Sequence, residues 1–146
     1  MGQPSWNVVV TALAVPSAQG ICWTRALDCA PAGKLLKIEA SERWQPSGFA
    51  QPCSGDGDSG RSYERNSLIL PNVPTGALIA RIGGGTADRA FESGTSLTAF
   101  VFGVGRFCVL QVPATPVGAL FLAVNDRADL MSEVNGKLLV TISEAL

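Results

Sequence analysis

Short apolar runs alternate along this chain with Gly, Pro, Asn and Ser. That rhythm is the pattern of an all-β sandwich. It predicts strands at Trp6–Ala14, Ile21–Thr24, Lys34–Ala40, Ser67–Leu70, Ala77–Ile82, Thr98–Phe102, Phe107–Gln111, Ala119–Val124 and Lys137–Ser143. Several alternate with period two. Leu36, Ile38 and Ala40 face one way while Lys37 and Glu39 face the other, and Leu138, Val140 and Ile142 share a face. Phe107–Val112 and Ala119–Val124 are apolar on both faces. They are expected to be central strands or to line a subunit interface. Pro113 and Pro116 break the ladder between them, because proline cannot donate to it. No segment carries a helical period, a repeat or a domain boundary, so residues 1–146 read as one domain.

Two stretches depart from the strand pattern. The first, Asn125–Gly136, is a polar loop pinned between apolar strands. Asp126, Asp129, Glu133 and Asn135 give it several side-chain oxygens, which is what a hard cation such as calcium requires. A solvated turn would also be acidic. The second, Ser41–Asn66, has little strand character and holds Trp44, Phe49 and Tyr63. A loop of that length in a compact domain is usually functional or disordered. Within it, Asp56 and Asp58 resemble the start of a calcium loop, but the Gly and distal Glu of an EF-hand do not follow. Residues 55–63 therefore read as a flexible hairpin tip. Trp44, beside a polar loop, is either core edge or a platform for a sugar ring.

Composition narrows the chemistry. Charged residues make up 16% of the chain and apolar residues 47%, with a net charge of −1. Lys and Arg do not cluster, so no basic footprint for nucleic acid exists. A near-neutral surface favours self-association, and a homo-oligomer is expected. The chain has no histidine, which excludes Ser-His-Asp and Cys-His catalysis and His-ligated zinc. Cys22, Cys29, Cys53 and Cys108 form no CxxC pair. Cys22 and Cys108 read as small core residues, Cys29 and Cys53 as loop residues, and their pairing is left open. No segment reads as a signal peptide or a membrane span. The expectation is a cytoplasmic protein as synthesised, with release by a signal-independent route left open, and no insertion into membranes.

Gly76-Ala77-Leu78-Ile79-Ala80-Arg81-Ile82-Gly83, together with Gly118-Ala119-Leu120 leading to Val124-Asn125-Asp126, resembles the small calcium-dependent, galactose-binding bacterial lectins of the PA-IL type. The interval from Asn125 to the last strand matches that family without a gap, and Gly136 falls at its glycine position. Gly33–Ile38 resembles an early family strand. The resemblance implies a jelly-roll-like antiparallel β-sandwich, dimeric or tetrameric, with one Ca2+ at its apex coordinated by two sugar hydroxyls. It implies metal ligation by Asp126, Glu133, Asn135 and the backbone carbonyls of Trp44 and Leu130. Asp126 and Glu133 would also contact sugar, with Tyr63 and Asn66 shaping specificity. Val134 departs from the pattern, standing where the family has an amide ligand.

These readings combine into a non-enzymatic, carbohydrate-binding lectin, calcium-dependent and galactose-type. The alternative is a metal-free β-sandwich acting as a structural or protein-interaction module, with Phe107 and Phe121 on its assembly surface. A small hydrolase using Asp126 and a second carboxylate ranks last, because no nucleophile motif is present.

Overall fold

The computed structural model describes residues 5–16, 23–46, 51–58, 69–70, 72–83, 99–115, 118–126 and 134–146. Their elements are all strands. They run β1 (Trp6–Val15), β2 (Thr24–Leu27), β3 (Leu35–Ser41), β4 (Trp44–Gln45), β5 (Asp56–Asp58), β6 (Thr75–Gly83), β7 (Ala99–Gly103), β8 (Phe107–Gln111), β9 (Leu120–Val124), β10 (Asn135–Gly136) and β11 (Leu138–Ala145). All pairings are antiparallel. One sheet has the order β1-β11-β3-β8. A second runs β2-β9-β6, and the far edge of β6 is shared by β5 and β7. A two-stranded ribbon, β10-β4, lies at the end. The fold is an antiparallel β-sandwich, as the strand rhythm predicts. Among the described residues, no helix is long and apolar enough to cross a membrane.

The first sheet is half-buried, and its period-two pattern holds. Leu36 and Ile38 of β3 are fully buried between exposed Leu35 and Glu39. Leu138, Val140 and Ile142 of β11 sit in the same core. On the outer face, Lys37 Nζ lies 4.9 Å from the centre of the Trp6 ring, a cation–π contact that bridges β3 and β1 across β11.

The second sheet behaves differently. Every residue of β6 and every residue of β9 is buried. These two strands therefore form the centre of the molecule, as the two-sided apolar run at Ala119–Val124 predicts. Arg81 lies within this layer, opposite Phe121, and is fully buried. Its guanidinium stands 4.3 Å from the Phe121 ring centre and 5.1 Å from that of Trp23. Phe121 is thus a core residue, not part of an assembly surface.

Three expectations are corrected. Among the described residues Phe107–Gln111 is an edge strand with alternating exposure, which removes the central-strand half of the expectation for that run and leaves the interface half untouched. Its outward residues are chiefly apolar, which disguised the alternation. Residues 69–70 lie in a bend rather than a strand, and 67–68 fall outside the described residues. The Ser41–Asn66 region contains two short strands, β4 and β5. Asp56 is tied rather than loose: its carboxylate accepts the Arg106 backbone N–H at 2.9 Å and pairs with Arg106 Nε at 3.0 Å. Gly57 makes the approach to β6 possible. Its φ is +72°, and a Cβ there would stand 2.5 Å from Ala77 N and 2.6 Å from Thr75 O. Gly57→Ala is expected to destabilise the protein by about 2–4 kcal/mol, since backbone conformation and backbone spacing both oppose it. A denaturant titration measures this; a change of under about 0.5 kcal/mol, the range of neutral surface substitutions, would contradict the packing described.

Candidate functional site

The apex is built where β9 runs out of the core. Asn125 and Asp126 follow Val124 directly, and both are fully buried. A polar pair leaving a two-sided buried strand must find partners inside the protein. Asn125 does so completely. Its Oδ1 accepts the Leu70 N–H at 2.9 Å, and its Nδ2 reaches the carbonyls of Leu70 and Val73 at 2.9 Å and Pro74 at 3.2 Å. Its backbone carbonyl accepts the Gly76 N–H at 2.8 Å, and its own N–H donates to Ala77 O at 2.7 Å. One side chain thus closes the turn that feeds β6.

Gly76 carries the linkage onward. Its carbonyl accepts the indole Nε1–H of Trp44 at 2.8 Å and a longer contact from the Cys53 thiol at 3.8 Å. Trp44 is fully buried, so its ring is core rather than a sugar platform. Its backbone exchanges two hydrogen bonds with Cys53, at 3.0 and 2.8 Å. The Trp44 carbonyl therefore already accepts one N–H and keeps a second lone pair for another donor or a cation. On its other side β4 pairs with β10, Trp44 opposite Gly136 and Gln45 opposite Asn135. Gly136 has φ +76°, and a Cβ there would lie 3.1 Å from Arg43 O. This explains a glycine at that point of the loop.

Of the predicted ligands, three lie among the described residues, and the pairing of β4 with β10 brings two of them, Trp44 and Asn135, onto neighbouring strands. Asp126 is buried at the start of the loop, Asn135 is exposed at its end, and Trp44 lies on the neighbouring strand. Val134 is buried and can offer only backbone oxygen. Leu130, Glu133, Tyr63 and Asn66 lie outside the described residues. Among those described, no three His, Cys, Asp or Glu side chains gather around one point.

The sequence reading missed Asn125 and Cys53 as parts of this framework. Asn125 had a signal: a lone amide between an apolar strand and an aspartate. Cys53 had none, because its place depends on the bridge to Trp44. Cys29, Cys53 and Cys108 are free thiols, and Cys22 is outside the described residues. Burial, reinforced by the negative charge of Asp58, pushes the Cys53 thiol up, and burial alone raises Cys108.

No family model matches the chain, and no curated protein matches it. Among solved structures it is similar to a chain described as the EclA N-terminal domain, a PllA-like lectin. The TM-score is 0.61 at 20% identity, over 94% of this chain and 98% of that one. At such identity the likeness is one of fold, and it agrees with the all-β sandwich described above.

Two outcomes follow from this geometry. Asn125→Ala leaves one buried N–H and three carbonyls without their amide partner, and is expected to cost about 3–4 kcal/mol by denaturant unfolding. Both raised thiols hold their proton more tightly in the folded than in the unfolded chain. Their contribution to stability is complete at neutral pH and is lost as pH climbs past the ordinary thiol range. Stability should therefore fall on the alkaline side, less steeply in a Cys53→Ser, Cys108→Ala variant.

Proposed function

We propose that this protein is a carbohydrate-binding lectin, calcium-dependent and of galactose type, whose site is the apex between Asp126 and Asn135. The observation that carries this reading is a fully buried carboxylate, Asp126, at the mouth of an oxygen-rich loop on a lectin-like sandwich. Burying a carboxylate requires compensation by hydrogen bonds or opposite charge. Here the Asn125–Gly76–Trp44 linkage fixes the backbone on either side of the loop.

The residues that would hold Ca2+ are Asp126, Glu133, Asn135 and the carbonyls of Trp44 and Leu130. When bound, the ion supplies a fixed positive charge to which two vicinal sugar hydroxyls can coordinate in place of water. The chain's own residues do the selecting. Asp126 accepts a hydrogen bond from one hydroxyl, Glu133 accepts one from another, and Tyr63 and Asn66 set which sugar fits. No acid/base pair is needed, and the activity is binding without turnover.

A second reading is favoured by Val134. It is buried and apolar where the PA-IL pattern has an amide ligand. On that reading the apex is metal-free and the sandwich is a structural or interaction module.

Thermal melts separate the two. Under the lectin reading calcium raises the melting temperature, and galactose raises it further only when calcium is present. A ligand at a hundredfold its Kd adds about 2.7 kcal/mol to stability. Asp126→Asn, nearly isosteric, should keep the fold and lose both shifts. If calcium and galactose leave the wild-type melt unmoved, the metal-free module stands and the lectin site is abandoned.

A further inference from the structure

The first sheet has two edges, β1 and β8, and they are built differently. The ladder from β1 to β11 is interrupted twice, between Val8 and Val10 and between Val10 and Leu13, and Ala12 takes a left-handed φ of 49°. Bulges of this kind twist an edge away from further pairing. In the second sheet, β5 is Asp-Gly-Asp and β2 carries Arg25, so charge guards those two strands, while the uncharged β7 ends in a glycine, Gly103.

β8 has none of these protections. Phe107-Cys108-Val109-Leu110-Gln111 contains no charge, no proline and no glycine, and its register with β3 runs without a shift. Arg106 O accepts from Ala40 N at 2.8 Å, and Val112 N donates to Lys34 O at 2.8 Å. The even-numbered residues therefore turn their backbone groups toward β3. By the alternation of an antiparallel ladder, Phe107, Val109 and Gln111 turn theirs to the open edge. Among the described residues no strand pairs with that edge. The same residues point their side chains outward, Phe107 being 62% and Val109 46% exposed.

From this we infer that β8 pairs with β8 of a second copy of this chain, antiparallel about a two-fold axis at Val109, joining two four-stranded sheets into one. The strand is self-complementary in that register. Val109 faces its own copy with backbone donors and acceptors aligned, and Phe107 faces Gln111 of the partner subunit. An uncharged strand meets itself without like-charge repulsion, which a strand carrying one sign of charge could not do. Five-residue strands bury a modest area, below the roughly 1,200 Å² of standard stable interfaces, so the dimer is concentration-dependent.

The test uses the whole chain in analytical ultracentrifugation across a concentration series. Wild type should show a monomer–dimer equilibrium. Val109→Lys and Val109→Glu should each raise the dissociation constant at least about tenfold, because like charges then oppose one another at the axis. An equimolar mixture of the two should restore dimer, as a heterodimer. A wild type that stays monomeric overturns the proposal. So do variants that dimerise as well as wild type, or a mixture of monomeric variants that does not recover. Should either charged variant melt at lower temperature, Phe107→Ser supplies the same reading from a more exposed position: weakened dimerisation supports the interface, and unchanged dimerisation overturns it. None of these outcomes depends on sugar or calcium.

Discussion

The buried amide of Asn125 is the interaction on which the apex depends. A strand buried on both faces cannot simply emerge into solvent, because the first residues past its end still lie where water does not reach. β9 meets this constraint with an amide whose oxygen accepts one N–H and whose two N–H donors are shared among three carbonyls of the 70–74 turn. That turn starts β6, the other strand buried on both faces. The two central strands are therefore clipped together at one end by a side chain, beyond their ladder. Gly76 passes the constraint to Trp44, and Trp44 passes it through β4 to β10, where the loop from Asp126 returns. Both stems of the loop are held by backbone and core groups.

Much of the fold was legible because its strands obey simple patterns. Leu36 and Ile38 alternate with Lys37 and Glu39, and the sheet places them accordingly. Ala119–Val124 is apolar throughout and lies in the centre. The failures are equally physical. β4, β5 and β10 are two or three residues long, too short for any period, and exist only because a longer strand or a buried tryptophan offers them partners. β8 looked central because Phe107 and Val109 fill outward positions that polar residues usually hold. Composition alone cannot distinguish a strand covered on both sides from one whose apolar face is left open. The Asp126–Asn135 loop was legible as a place, since its polar run between apolar strands is visible in one line of sequence. Asn125 was visible there only as a lone amide after an apolar strand, because its partners lie across the fold, 51 to 55 positions away.

The two faces of the functional question rest on different kinds of support. A TM-score of 0.61 at 20% identity speaks to the frame. The same frame can host unrelated sites, so function has to be argued from particular atoms. At the apex those atoms pull in two directions. Asp126 is a fully buried carboxylate, in a place where burial makes a charge costly. Val134 replaces an oxygen with a branched hydrocarbon in the pattern the chain resembles. Its burial shows that the position now serves packing. Asn135 beside it is exposed on β10, with its backbone fixed opposite Gln45. Moving the ligand role by one residue reverses which face of a two-residue strand carries the oxygen. The position of Asn135 is therefore tied to the Trp44–Gly136 pairing beside it. That pairing is constrained by the close Arg43 carbonyl and the left-handed Gly136. The frame that fixes this stem of the loop thus also limits where the Asn135 side chain can be carried.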